Sequence, residues 1–543
     1  MSSVSALAPL QGPVFRMLWL AWLAANITMW TNDAAAAWLM TTLTDSTTMV
    51  ALVSAASTLP VFLLGLPSGA LADILDRRRY FAATQLWVAI VATVLASVAL
   101  AGAMTAPLLL LLTFANGIGL ALRWPVFAAI VPDIVPRPVL SQALALNGVA
   151  MNLSRIIGPV LAGVVLASAG VAWVFVLNAL LSLTAFFTIL RWKPQQRSPS
   201  ALPGERFVGA MRVGLQHVQQ SPAMRRVVAR VFLFFLQTAA LTALLPLIAR
   251  GLAGPEQGAH WFTALLACQG AGAVTAVMWF PRWRARFSSS VFVTAGPLVH
   301  AALTLGIAFA PHPALAALAM VLAGMAWISA ANTLTVSAQL VLPGWVRARG
   351  MAIYQMCLMG GTAAGAALWG QVAGHSSVRT ALIASVVAGV AVQLLLRRWP
   401  LITEAAPDPS PARPLGLAPE PDAPIDPEAG PVMVTVEYLI DPARSPAFLE
   451  VMQQTRQARL RQGALSWGLF QDAAEPGRYV EYFLDETWVE HLRRHERFTA
   501  GDIGLRGQRL AFHRGDEPPR VRRHLAAQLD RKSTRLNSSH SQQ

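Results

Sequence analysis

The chain has 543 residues, 55% of them hydrophobic and only 13% charged, with a formal net charge of +15. A soluble protein carries about a quarter charged residues, so composition excludes an ordinary soluble globule and points to a membrane. Residues 1–400 hold 24 Lys+Arg and 7 Asp+Glu, while residues 401–543 hold 18 and 20, so a strongly basic body (+17) precedes a near-neutral tail (−2).

In chain order, Arg16 leads into an apolar stretch with no small-residue cleavage site behind it, so no cleavable signal is expected. Apolar stretches of about 20 residues, the length that crosses a bilayer as a helix, recur twelve times. They lie at 15–40, 47–72, 80–102, 106–132, 140–167, 171–192, 227–250, 258–280, 289–310, 313–340, 349–373 and 378–398. These runs are too long and too evenly apolar for barrel strands, and their Gly and Pro residues are tolerated in membrane helices. Residues 401–430 are proline-rich and acidic and read as a linker. Beyond it, 432–440 alternates like a strand, 445–462 reads as an amphipathic helix, 464–472 and 477–485 as a hairpin-like pair, and 486–512 as helical. The expected domains are 1–192, 193–226 (a cytoplasmic loop), 227–400, 401–430, 431–514 and a disordered tail 515–543. The last stretch, RKSTRLNSSHSQQ (531–543), changes character abruptly and reads as non-native.

Arginine placement sets orientation. With the amino terminus inside, the inner segments hold twenty cations: Arg16, Arg77, Arg78, Arg79, Arg137, eight in 191–230, Arg282, Arg284, Arg286, Arg347, Arg349, Arg397 and Arg398. The outer loops hold only Arg250 and Arg379. Twenty against two places both termini in the cytoplasm and assigns the basic charge to the membrane face, so no nucleic-acid partner is expected. The chain also repeats itself. A shift of 207 residues superposes Gly65 on Gly272, Arg77 on Arg284, Arg79 on Arg286, Gly117 on Gly324, Pro136 on Pro343, Gly158 on Gly365, Gly163 on Gly370, and Arg191-Trp192 on Arg398-Trp399. Two six-helix halves follow, in an all-α membrane protein whose substrate site is expected between the halves near the midplane.

Charge inside a membrane span costs roughly 2.5–3.5 kcal/mol on insertion scales and marks function or a buried partner. Asp33, Arg123 and Arg155 lie inside spans. Asn26 and Trp30 share a helical face with Asp33, Asn116 shares one with Arg123, and Asn152 with Arg155. Asp33 is expected to pair with one of the arginines, either as a proton-coupling device or as a static buried pair. Under the 207 shift Asp33, Arg123 and Arg155 fall on Ala240, Ala330 and Thr362, so the second half offers neutral lining: Asn332, Thr335, Gln339, Tyr354 and Gln355. No cofactor or metal is expected. Gly117 and Gly119 follow no strand, Cys268 and Cys357 lie in apolar runs, and His491 and His495, four apart on a helix, lack a third ligand.

Over residues 14–400 the sequence resembles the major facilitator superfamily. Gly69, Asp73, Arg77 and Arg78 fit that family's loop motif between its second and third helices, although Ile74 and Asp76 replace a basic residue and a glycine. Gly158-Pro159 and Gly163 resemble its antiporter motif, with Ala145, Ser154 and Ala162 where glycine is preferred, and such small faces let the fifth helix pack closely on the eighth or eleventh. GALADILDRRR (69–79) and residues 131–163 look most like the enterobactin-exporter branch. The resemblance implies that Asp73 sits against a helix amino terminus near Arg347 and Arg349 as a gate that breaks during the cycle, and that the first and fourth helices line the cavity. The tail resembles ferredoxin-like domains of the antibiotic-biosynthesis-monooxygenase type, which commonly dimerise. The expected function is non-enzymatic: export of a small siderophore-like or other amphipathic metabolite or drug from the inner membrane by proton antiport. Protons, a small-molecule substrate and membrane lipid are the partners. Uptake, or a sensing or enzymatic tail on a membrane anchor, are the other readings, and the antiporter-like motif of the fifth helix tilts toward export.

Overall fold

The computed structural model describes residues 7–136, 139–192, 207–399 and 425–527, with residues 408, 410 and 412 between the last two. Most of the expected linker, Arg137 and the 531–543 stretch lie outside the described residues, as do the side chains of Asp73, Ala145 and Asn152.

Every expected span lies on a helix. In order these are α1 (Pro13–Leu43), α2 (Thr47–Ile74), α3 (Arg77–Leu100), α4 (Ala106–Ile134), α5 (Leu140–Ser168), α6 (Val171–Arg191), α7 (Phe207–Gln220), α8 (Pro222–Arg284), α9 (Ser289–Ala308), α10 (Pro313–Val341), α11 (Arg347–His375) and α12 (Val378–Leu396). Eleven helical stretches among the described residues are long and apolar enough to cross a membrane, with α8 supplying two, Pro222–Gly254 and Glu256–Phe280. Gly254 divides α8 with φ +74, a left-handed backbone that only glycine adopts without strain. Helix α1 has the length of a span but not the required apolarity, because Asn26, Thr28, Thr31, Asn32 and Asp33 crowd its middle. Helix α7 is amphipathic and lies within the segment 193–226 that the sequence reads as a loop between the halves.

The 207-residue repeat has a packing counterpart. Gly117 on α4 lies against the backbone of α2 at Ser57, and its equivalent Gly324 on α10 lies against the backbone of α8 at Gln269. Gly158 on α5 meets α1 at Trp30 and Ile27, and Gly365 on α11 meets α8 at Leu236 and Ala239. Gly163 reaches across to Thr263 of α8, and Gly370 reaches across to Ala51 and Thr48 of α2. A side chain on any of these glycines would overlap its neighbour, so helices approach to the distance that only small residues permit.

One end of the bundle is sealed between the halves. Arg250 Nη1 donates to Thr41 O at 2.5 Å, the Trp38 and Phe262 rings stack at 5.9 Å, and Thr48 Oγ1 donates to Gly370 O at 3.1 Å. The buried apolar cluster there mixes Ala34, Trp38 and Ala51 of the first half with Leu244, Phe262 and Trp369 of the second. The main cluster toward the opposite end, built on Phe15, Trp22, Phe81, Phe127 and Trp192, belongs to the first half alone.

The remaining elements form a separate α+β domain: β1 (Val432–Leu439), α13 (Ser445–Arg461), β2 (Ser466–Gln471), β3 (Arg478–Asp485), α14 (Trp488–Glu496), α15 (Ala500–Leu510) and β4 (Arg520–Leu525). The sheet is antiparallel in the order β2-β3-β1-β4, a ferredoxin-like arrangement. The expected helix 486–512 is two helices, the second started by a Thr499–Asp502 capping box. Residues 520–525, expected in the disordered tail, instead pair with β1, Val432 opposite Leu525 through Glu437 opposite Arg520. Contacts divide the chain into two compact units: the membrane helices form one, and the domain forms the other together with 199–225 and 340–350.

Candidate functional site

The helical faces singled out by intramembrane charge converge at mid-bundle, but the charges do not pair. Arg123 is buried on α4, where its Nη1 donates to Ala25 O at 3.2 Å and its guanidinium lies 5.5 Å from the Trp22 ring. Trp22 in turn stacks on Phe127 at 4.1 Å. Arg155 on α5 is sandwiched between two indoles, 5.2 Å from Trp30 on α1 and 4.5 Å from Trp327 on α10. Trp327 belongs to the second half, so this sandwich spans the interface between halves. Phe235 of α8 packs edge-on against Trp327. Asp33 is half-buried and forms no ion pair among the described residues, which corrects the expected pairing with Arg123 or Arg155.

The hydrogen-bonding inventory leaves capacity at this level. Arg123 Nε and Nη2, Arg155 Nε and Nη1, Asn26 Oδ1 and Asn116 Oδ1 are buried without partners. Asn26 Nδ2 is satisfied by Trp22 O at 2.7 Å within α1. Each guanidinium is held by aromatic faces, Arg123 by a backbone carbonyl as well, and among the described residues no carboxylate is paired to either. The free donors on each can take an anionic or oxygen-rich group. The residues expected to line the second half are neutral: Tyr354 is buried and its OH lies 3.0 Å from Thr335 Oγ1, Asn332 is half-buried, and Gln339 is exposed. The side chain of Asn152 lies outside the described residues.

The loop motif separates into parts with structural duties. Asp76 caps α3, its Oδ1 accepting from Arg79 N at 2.8 Å, which explains an aspartate where the family pattern has glycine. Arg78 Nη2 donates to Leu190 O at the end of α6. Gly69 has no heavy atom within 4 Å of where a side chain would begin. In the antiporter-like motif, Gly158 seats the Trp30 side chain and its carbonyl accepts from Thr31 Oγ1 at 3.1 Å, while Pro159 lies within α5. The close contact of α5 across the halves, made by Gly163, is with α8.

Trp22 and Trp327 were not selected by the sequence. A tryptophan in an apolar span carries no signal of its own, and only the fold brings Trp327 to Arg155. A ladder of Asn32, Asn178 and Ser182, joined at 3.1 and 3.2 Å between α1 and α6, was missed for the same reason.

In the α+β domain, His491 is buried. Its Nδ1 lies 2.8 Å from Asp485 Oδ2, and its Nε2 accepts from Arg523 Nε at 3.2 Å. Glu481, fully buried on β3, accepts from Arg459 Nε at 2.9 Å, Trp467 Nε1 at 3.0 Å and Tyr438 OH at 3.0 Å. Desolvation opposes its ionisation, and the Arg459 and Arg509 charges with the Arg459 and Trp467 hydrogen bonds hold its carboxyl down at about 2. Among the described residues no group of three His, Cys, Asp or Glu side chains is arranged to hold a metal.

Comparison with known proteins places this architecture. Residues 4–532 match the family model described as a transmembrane secretion effector of the major facilitator type. A search of curated proteins returned no match. Among solved structures, a bacterial homologue of the human lysosomal transporter Spinster, in an inward-facing unoccupied conformation, is 15% identical with a TM-score of 0.56, covering 72% of this chain and 97% of its own. The nucleoside transporter NupG is 12% identical with a TM-score of 0.56, covering 71% and 98%. The human organic anion transporter TETRAN is 17% identical with a TM-score of 0.51, covering 70% and 98%. At these identities the likeness is one of fold.

Proposed function

The chain belongs to the transmembrane secretion effector family of major facilitator transporters, and from that premise we propose that it exports an amphipathic anionic solute from the cytoplasm by proton antiport and alternating access. One observation carries the substrate class: Arg123 is buried and Arg155 half-buried, both are ring-supported, and among the described residues neither has a carboxylate partner. A carboxylate, phenolate or catecholate on an aromatic body supplies the missing acceptors and a flat face for Trp30 and Trp327. A siderophore-like or aromatic acidic metabolite is the specific expectation, and a structural neighbour named for organic anions is in keeping with it. Asp33, unpaired and half-buried on α1, is the proton carrier of this scheme. Export rather than uptake is supported by the secretion description of the family and by the antiporter-like glycines of α5. The arginine asymmetry supports an inner-membrane location with both termini cytoplasmic. The sheet face opposite the helices exposes Phe470 and Met433, which favours pairing of two domains.

Inside-out vesicles under an imposed proton gradient test this reading. Accumulation of aromatic acids and catecholates that collapses with the gradient, and that Arg123→Ala abolishes, is the expected result. Gradient-dependent accumulation of organic cations in preference to anions would overturn the substrate class.

A further inference from the structure

The second compact unit joins three separated parts of the chain: α7, the joint between α10 and α11, and the α+β domain. Helix α7 lies against the domain through several independent contacts. Arg212 Nη2 is 2.7 Å from Glu486 Oε2, Gln216 Nε2 donates to Ala464 O at 2.7 Å, and His217 Nδ1 lies 3.3 Å from Arg461 O. The Val213 side chain packs over Gly463, whose φ of +110 admits no side chain without strain. Trp345, in the α10–α11 joint, stands between the two: the His217 ring meets it edge-on at 5.5 Å, and the Arg497 guanidinium lies 5.1 Å over it. Gly214 lies against the Arg349 side chain at the start of α11.

The covalent connections give these contacts their reach. Helix α7 ends at Gln220 and α8 begins at Pro222, so one residue separates the docked helix from a membrane span. Trp345 lies four residues beyond the end of α10 and two before the start of α11. The domain therefore holds the start of α8, the end of α10 and the start of α11 on short leashes, while no residue of 1–198 belongs to the unit. Any transport step that changes the spacing between the α8 start and the α10–α11 joint must break these contacts or move them.

We propose that the α+β domain is a built-in brake on the transport cycle, acting by gripping α7 and Trp345 and so disfavouring the alternate state of the membrane helices. This rests on the alternating-access reading above. A brake of this kind is released by whatever competes for the α7-docking face formed by residues 461–464, Glu486 and Arg497, and it requires no change in the substrate site.

The test places spin labels at exposed Asp45 and Ser376, on opposite halves at the sealed end, with Cys268 and Cys357 changed to serine. Pulsed resonance distances are read in the full-length protein in liposomes. Arg212→Glu, and separately Trp345→Ala, release α7, and amide exchange over 207–220 reports the release. The expected result is a shift of about fivefold in the ratio of long to short distances, the scale set by a half-exposed ion pair. Adding Glu486→Arg to Arg212→Glu returns the distribution to that of the parent. The proposal is overturned if α7 is released while the distances stay unchanged, or if neither variant alters exchange in 207–220. The distances need no substrate, so a failed transport assay and a failed brake are told apart.

Discussion

Arg155 holds its charge between two indole faces, and this makes the kind of cation important as well as its sign. Lysine keeps the charge but loses the planar stack on Trp30 and Trp327. Arg155→Lys is therefore expected to retain transport with KM raised about tenfold, within the range of a desolvated cation–π contact, whereas Arg155→Gln abolishes it; concentration dependence in vesicles separates the two. A different residue sets a pH dependence outside the membrane. Burial beside Trp345 and the nearby Arg461 charge push the His217 imidazole down to about 4. The unfolded chain then binds more protons than the folded one between pH 6.5 and 4, so the docking of α7 is fully stable above 6.5 and weakens as pH falls through that window, by roughly 3 kcal/mol in all. Glu481, held at about 2, adds a loss within the domain between pH 4.5 and 2. Exchange protection of 207–220, corrected for intrinsic rates, should fall from pH 6.5 to 4 in the parent and fall less in His217→Phe, where the Arg212–Glu486 ion pair still responds to acid. At this scale Arg123 and Arg155 stand out in the sequence because charge in an apolar span is conspicuous. The surroundings of Asp33 do not, because the partners of a side chain are set by the helices facing it, and a single helical face does not reveal those.

Among the elements, helix approach gives the clearest contrast. Gly324 lies so close to the Gln269 backbone that any side chain displaces a helix, while Gly69 faces open space. Gly324→Ala is expected to cost about 1–3 kcal/mol as overpacking and to lower the apparent melting temperature in detergent. Gly69→Ala should leave it unchanged or raise it slightly. Strand β4 yields a second contrast. Removing residues 517–543 strips the partner from β1 and leaves Arg523 absent from His491, so the domain should lose cooperative unfolding; removing 528–543 should not. The membrane helices were legible because twenty apolar residues permit little else. Helix α7 and β4 were not: the first lies among arginines that read as a loop, and the second, Arg-Val-Arg-Arg-His-Leu, is exposed and charged, so its alternation carries no apolar face. Both acquire their structure from tertiary partners.

For the molecule as a whole, the internal repeat was the most informative signal, because identities at a fixed offset report equivalent helix contacts in each half. What the repeat could not show is which end of the bundle is shut. The answer lies in Arg250 on Thr41, Trp38 on Phe262 and Thr48 on Gly370, all beyond Asp33 toward the same end; Trp38 alone lies about 7.5 Å further along α1. That seal bears on leakage. Under the proposed antiport scheme, a proton that binds Asp33 while the seal is intact has no exit ahead of it and must return the way it came. In that scheme the membrane potential is not short-circuited by an idle carrier, and dissipation is confined to turnovers in which the halves move. Replacing Trp38 or Arg250 with alanine should therefore raise passive proton flux into liposomes in the absence of any solute, whereas Arg155→Gln, which leaves the seal in place, should not.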